Sequence, residues 1–236
     1  MDKKITSSKN GFTLVELLVV IAVIAILGSI AIPAISAAKV RANQVKCSSN
    51  MRQIGIAMIS YALDNGGWLP TTTHGGGMQN SWIYQLEDYV GGGFDDIRIC
   101  PSDPRGLARK NARGTSYILN EFIAVDHASP FGVILESFRH MDSLVNLGGT
   151  IFVFIVSDRV GVSGMNDHTH SRNWNTWNRV ISDIQPDRHR SGAGTTNNTS
   201  GVGNYLYGDG RVEGMKANEL KKIIDRGINP ARPPSI

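Results

Sequence analysis

The segment that decides the fold lies near the N-terminus, where residues 11–35 read GFTLVELLVVIAVIAILGSIAIPAI. From Leu17 to Ile35 the chain carries no charge, and at about 1.5 Å of helical rise per residue this length crosses a hydrocarbon core of roughly 30 Å. A buried helix of a soluble protein would show a polar face, but here only one glycine, one serine and one proline interrupt the apolar side chains. The segment therefore predicts a transmembrane helix.

A secretory signal peptide is the alternative, in which a short apolar stretch is followed by a small-residue cleavage site and then by the mature protein. Here the helical pattern continues. Apolar residues recur at alternating four- and three-residue steps, which is the spacing of one helical face, at Cys47, Met51, Ile54, Met58 and Tyr61. We therefore expect the segment to be retained.

The helix is expected to run from Phe12 to about Asn65, because glycines at 66 and 67 can adopt the left-handed conformation that ends helices. Its first half would lie in a membrane or fibre core and its second half against a sheet. Met51 and Met58 could form a soft-metal stripe, but their spacing favours packing in the core.

Composition sets limits on the rest of the chain. With 236 residues, of which 41% are hydrophobic, we expect one globular domain beyond the membrane segment. The net charge is +4 and the pI about 9.1, but three lysines and one aspartate lie in the first eleven residues. Without those residues about +2 remains, too little to indicate nucleic-acid binding.

One carboxylate, Glu16, stands four residues after Phe12 at the start of the apolar run. An acidic side chain so close to hydrocarbon is costly unless a cation neutralises it. An interfacial glutamate that reaches water would not account for the whole string Gly-Phe-Thr-Leu-Val-Glu. This string, preceded by a lysine-containing leader, resembles the N-terminal segment of type IV prepilins and of type II secretion pseudopilins.

The resemblance implies a processing and assembly route. A prepilin peptidase would cut after Gly11, the new N-terminal Phe12 would be methylated, and Glu16 would pair with the N-terminal amine of a neighbouring subunit. Pro33 matches the proline that bends many pilin helices. Basic residues are nearly balanced on the two sides of the apolar run, so we take the orientation from the resemblance: the leader in the cytoplasm and the rest outside.

Cys47 and Cys100 are the only cysteines, and both follow the apolar run. They could be two buried free thiols, as in cytosolic proteins. If this part of the chain is exported, as the resemblance implies, an oxidising compartment allows them to pair. Because Cys47 lies on the predicted core face and Cys100 begins a loop expected to pass near it, we predict a disulfide between them.

Beyond the helix, short segments alternate with glycine, asparagine and proline. Residues 151–156 and 116–119 have the composition of strands. Residues 204–207 and 211–213 flank Gly-Asp-Gly and predict a β-hairpin with a tight turn. A last helix is expected at about 217–226.

Three motifs resemble one subgroup of prepilin-like proteins. They are Asn-Met-Arg-Gln-Ile-Gly at residues 50–55, Cys-Pro-Ser-Asp at residues 100–103, and a late His189 followed by Asp209-Gly210. In that subgroup nine residues separate the histidine from the Asp-Gly pair, whereas nineteen do so here. The excess fits an insertion within residues 191–203, which are rich in Asn, Thr and Gly.

Two groups of residues could carry chemistry. His189 with Asp209 could be a catalytic or metal pair, but a structural histidine and a turn aspartate account for them more simply. The stretch from Asp167 through His168 and His170 could hold a metal, and the tryptophans that follow it could bind a sugar. A solvated loop anchored by Trp174 and Trp177 is the simpler interpretation. We therefore expect no metal, no cofactor and no catalytic residue.

The sequence predicts an α+β, pilin-like fold in which a long N-terminal helix packs on an antiparallel sheet. The expected organisation is a leader (1–11), a transmembrane half-helix (12–38), an amphipathic half of the same helix (39–66) and an extracytoplasmic globular domain (67–236). The expected function is a structural subunit of a type II secretion pseudopilus or pilus-like fibre, anchored in the bacterial inner membrane. Its partners would be the prepilin peptidase and other pilin or pseudopilin subunits. The alternatives are a membrane-tethered glycan-binding module that does not polymerise and, less favoured, an enzyme that uses His189 and Asp209.

Overall fold

The computed structural model describes residues 13–73, 80–192 and 194–235. The chain divides into two compact units, Met1–Lys39 and Val40–Ile236. The predicted cleavage site at Gly11 and Phe12 lies outside the described residues.

In the first unit the described chain forms the beginning of helix α1 (Leu14–Asp64), which has Pro33 inside it. In the part of the chain that the structure describes, α1 is the one helix long and apolar enough to cross a membrane, judged by length and composition. Its bounds lie within two residues of the predicted ones. The apolar side chains of its first half are exposed, because no other described residue of this unit covers them.

The second unit is built on a four-stranded antiparallel sheet in the order β1-β4-β5-β6. These strands are β1 (Tyr117–Leu119), β4 (Ile151–Ile155), β5 (Val202–Tyr207) and β6 (Val212–Lys216). All four were anticipated from composition and turn signals, although β5 begins two residues earlier and β6 ends three residues later than predicted. The α+β, pilin-like fold class is confirmed.

The second half of α1 packs on one face of this sheet. Successive side chains of β1 point to opposite faces of the sheet, and a hydrophobic core lies on each face. Tyr117 and Leu119 lie in the core on the α1 side, and Ile118 lies in the core on the opposite side. In β4 a register shift falls between Ile151 and Val153, and Phe152 and Val153 both lie in the core on the α1 side. The helical face predicted from periodicity is buried here, at Cys47, Met51, Ile54 and Met58.

The opposite face of the sheet carries helices α7 (Trp177–Asp183) and α8 (Ala217–Asp225). Helix α8 confirms the predicted last helix, but α7 was not expected. The remaining elements are short. They are α2 (Trp82–Gln85), α3 (Glu87–Val90), α4 (Phe94–Ile97), α5 (Gly106–Asn111), α6 (Glu121–Ala124), a separate pair of strands β2 (His127–Ala128) and β3 (Ile134–Glu136), and 3₁₀ turns at Met141–Ser143, Leu147–Gly149 and Ser171–Asn173.

Candidate functional site

The first candidate site is the start of α1, where Thr13 and Glu16 form a reciprocal cap. The Thr13 backbone N–H and hydroxyl donate to Glu16 Oε2 at 2.9 and 2.7 Å, and the Glu16 backbone N–H donates to Thr13 Oγ1 at 3.3 Å. This is the capping box that a threonine followed three residues later by a glutamate predicts. The sequence carries this signal in Thr13 and Glu16, although the cap was not among the features predicted from it. The two hydrogen bonds that Thr13 donates both end on Oε2 of Glu16. The other carboxylate oxygen can therefore accept a hydrogen bond from a further donor.

Beyond this cap, α1 offers an apolar surface on all sides. The large apolar side chains in residues 14–35 are between about half and four-fifths exposed, with Leu14 at 79% and Ile30 at 69%. Exposing such a surface to water is unfavourable, so lipid or other apolar helices must cover it. Glu16 is the one acidic residue of the first unit's described part.

The second candidate site lies where the three sequence motifs meet in the second unit. Asn50, in the buried face of α1, donates from Nδ2 to the carbonyl oxygens of Asp96 at 3.2 Å and Ile99 at 3.1 Å. Gly55, one turn further along, leaves room for the β5–β6 hairpin: a Cβ there would lie 2.7 Å from Leu206 Cδ1 and 3.4 Å from Gly210 Cα. The motif at residues 50–55 therefore attaches the helix both to the segment before Cys100 and to the hairpin.

The Cys-Pro-Ser-Asp motif ends in a buried ion pair. Asp103 Oδ2 accepts from Arg109 Nε at 2.9 Å and from Ser116 Oγ at 2.7 Å, and its Oδ1 accepts from the Arg105 backbone N–H at 2.8 Å. The Arg109 guanidinium also donates to the carbonyls of Ser157 and Gly161. Because both charges are buried and each is hydrogen-bonded, this pair fixes the loop after Cys100 against the end of β4.

Cys47, Cys100 and His189 lie together in the core of the second unit. Their sulfur atoms and a ring nitrogen of His189 are all within 4.8 Å of one another, and each residue is at most 4% exposed. The two thiols are unbridged. The disulfide stays a prediction. Sequence analysis paired the cysteines but did not place His189 beside them.

His189 and Asp209 do not form a pair. His189 forms a bridge with Val202 at the start of β5, whereas Asp209 lies in the turn after β5 ends. At about 3.3 Å per strand residue, the six residues of β5 separate them by roughly 17–20 Å. Asp209 Oδ1 instead accepts from the Arg211 backbone N–H at 3.0 Å, an Asx-type contact that shapes the turn around Gly210, whose φ is +82°.

The stretch at residues 167–177 is anchored by Trp174 and Trp177 as expected, but it is more buried than a solvated loop. Asp167 is fully buried and accepts from the Thr73 backbone N–H at 3.0 Å. Trp174 is 3% and Trp177 7% exposed, and they pack in the second core rather than presenting a platform. Trp174 Nε1 donates to Asp183 Oδ2 at 2.8 Å, which also accepts from the His170 backbone N–H. This stretch is therefore structural, and the exposed aromatic platform required for glycan binding is absent from it.

Comparisons with known proteins agree with this geometry. Residues 6–32 match the family model described as "Prokaryotic N-terminal methylation motif". Over 101 residues, 42% of this chain and 68% of the relative, the chain is 36% identical to the type II secretion system core protein G of Aeromonas hydrophila. It is 34% identical over 103 residues to the protein of the same name from Klebsiella pneumoniae, covering 42% of this chain and 70% of the relative. No solved structure matches the chain significantly.

The methylation motif, the exposed apolar half-helix and the helix-on-sheet unit together define a prepilin-like protein, in whose described residues one N-terminal helix is long and apolar enough to cross a membrane. Within that class, the chain belongs to the pseudopilin family that includes type II secretion system core protein G.

Proposed function

We propose that this chain is a structural subunit of a type II secretion pseudopilus or a closely similar fibre. It is made as a precursor, cut after Gly11 by a prepilin peptidase and methylated on the Phe12 amine. The observation that carries the proposal is the start of α1, where one carboxylate precedes a half-helix whose large side chains are apolar and exposed. The named relatives are secretion-system core proteins, and nothing in this role requires an enzyme.

In the proposed fibre, Glu16 neutralises the N-terminal amine of the next subunit. Burying either charge alone in an apolar surrounding costs several kcal/mol, and pairing them offsets both costs. The pair would also fix the axial offset between subunits, because Phe12 and Glu16 are four residues apart in the sequence. Before assembly, the cap on Thr13 holds the carboxylate in place.

The proposal includes a location. The first half of α1 spans the inner membrane, the leader lies in the cytoplasm, and residues 40–236 lie outside. During assembly the apolar half-helix leaves lipid for a core made of equivalent helices. Other pseudopilin subunits and the prepilin peptidase are the proposed partners. The tethered glycan-binding alternative loses its support, because its two tryptophans are buried.

The test is to separate the charge of Glu16 from its capping role. Glu16→Gln keeps a side chain that can cap Thr13 but removes the negative charge. We expect it to be cut after Gly11 and to insert in the membrane, yet to yield no sheared fibres and no secretion. Thr13→Ala removes the cap but keeps the charge, and we expect it to assemble.

Three measurements on each variant complete the design: the N-terminal sequence, the membrane fraction and the content of sheared fibres. Replacing Gly11 should block cleavage and leave the full-length precursor in the membrane. Normal fibres from Glu16→Gln would contradict the charge-pair mechanism. Loss of fibres from Thr13→Ala with retention in Glu16→Gln would reassign the role of Glu16 to capping alone.

A further inference from the structure

The cluster of Cys47, Cys100 and His189 is drawn from three distant parts of the chain. Cys47 comes from α1, Cys100 from the segment after α4, and His189 from the chain before β5. All three are buried, at 0%, 1% and 4% exposure. A fold that brings two thiols and an imidazole to within 4.8 Å of one another, away from water, has assembled three of the ligands that zinc prefers.

The histidine is oriented as a ligand would be. Its Nδ1 lies 3.2 Å from Ser102 Oγ, two residues after Cys100. Its Nε2 is buried and has no hydrogen-bond partner within the ranges that the structure describes. Metal-bound histidines have this division of roles, with one nitrogen held by a neighbouring oxygen and the other on the ion. An unpartnered buried nitrogen is otherwise costly.

The surroundings of the cysteines also suit metal ligands. The Tyr117 hydroxyl donates to Cys47 Sγ at 3.6 Å, a contact that stabilises a thiolate. A dicationic ion at this position would stabilise the thiolate forms of both cysteines.

We propose that Cys47, Cys100 and His189 bind one zinc ion, in place of the disulfide that the two cysteines alone suggest. At about 2.3 Å to sulfur and 2.0–2.1 Å to nitrogen, tetrahedral ligands lie roughly 3.3–3.8 Å apart, so the cluster must contract only slightly. Binding releases two thiol protons and leaves a neutral centre of two thiolates, one neutral imidazole and Zn²⁺. The three protein ligands leave the fourth position of a tetrahedral site to a small non-protein ligand.

A zinc ion bound by these three residues would cross-link α1, the Cys-Pro-Ser-Asp loop and the segment before β5. The role is structural, because metal bound only by the folded state stabilises that state. The inference is independent of fibre assembly, since all three ligands lie in the second unit.

The test uses the full chain purified in detergent with a tag that contains no histidine or cysteine. Zinc content is measured in the protein as isolated, and the thiols are counted by alkylation and intact mass. We expect one zinc per chain and no disulfide. His189→Ala and Cys100→Ser should each lose the zinc, whereas His170→Ala, which changes a 71% exposed side chain, should keep it.

A second measurement does not depend on variants that fold poorly. The parent chain, stripped of metal under reducing conditions, is titrated with Co²⁺, and we expect thiolate-to-cobalt charge-transfer bands and tetrahedral d–d bands that saturate at one equivalent. A metal-free chain with a Cys47–Cys100 disulfide would overturn the proposal. So would a folded, reduced chain that gives no such bands, or equal zinc content in His189→Ala.

Discussion

The two halves of α1 differ both in composition and in surroundings, because the first is apolar on all sides and the second is amphipathic. In the first unit, the side chains of Ile24 and Ile26 are each 62% exposed, whereas Ile54 in the second unit is fully buried against the sheet. The apolar face of the second half is covered by the sheet of the same chain, so burying it stabilises the folded second unit. The first half finds no partner within its own unit, so lipid or other subunits must cover it. One helix thus serves two purposes, separated near Lys39.

This difference can be measured because all four tryptophans lie in the second unit, at positions 68, 82, 174 and 177. Tryptophan fluorescence during unfolding of the full chain in detergent therefore reports on that unit alone. Substitutions in the second unit should lower its free energy of unfolding according to what they remove. Substitutions in the first unit should leave it unchanged.

The largest effect is expected from Asp103→Ala. The substitution leaves the Arg109 guanidinium buried without its carboxylate and should destabilise the second unit by about 3–5 kcal/mol. Asp95→Ala is the matched control, because Asp95 also pairs with an arginine, Arg98, but its side chain is 61% exposed. A denaturant midpoint as low for Asp95→Ala as for Asp103→Ala would contradict this account of the motif.

The most direct comparison of the two halves uses one residue type. Ile54→Ala removes a fully buried side chain and should cost about 2–5 kcal/mol of stability, because a cavity remains. Ile26→Ala shortens an exposed side chain in the first half and should leave the fluorescence transition where it is in the parent. Equal shifts in the two variants would show that the halves are not independent.

A smaller effect is expected at the contact between α1 and the hairpin. Gly55→Val places a side chain against Leu206 and Gly210 and should destabilise the second unit by about 1–3 kcal/mol through overpacking. Gly28→Val is its counterpart in the first half, where an added Cβ meets no atom within 4 Å. An unchanged midpoint for Gly55→Val would mean that the close approach of helix and hairpin is not required.

The smallest effect concerns the hairpin turn. Asp209→Ala removes the acceptor of the Arg211 backbone N–H and should lower stability by on the order of 1 kcal/mol. Subunit abundance should fall modestly, while bound metal stays unchanged because Asp209 lies away from the cysteine cluster. Loss of a metal ion from this variant, with normal folding, would refute the structural role of Asp209.

Local patterns predicted most of the architecture. The helix, the four strands of the main sheet and α8 follow from hydrophobic spacing and from turn residues that act over a few positions. The anchoring of the stretch at residues 167–177 by Trp174 was expected, but the burial of Asp167 was not, because it depends on contacts with distant residues such as Thr73, which no local pattern reveals. The cysteine–histidine cluster was missed for the same reason: its members are separated by 53 and 89 positions.

The central claim is that the first half of α1 becomes the N-terminal assembly segment of a processed subunit. The most direct test is the intact mass of the full-length protein recovered from membranes that contain a prepilin peptidase. The account predicts a mature chain that begins at Phe12 and carries one methyl group on its amine, together with an uncut chain in a strain that lacks the peptidase. A chain that keeps residues 1–11 in the presence of active peptidase would contradict the claim.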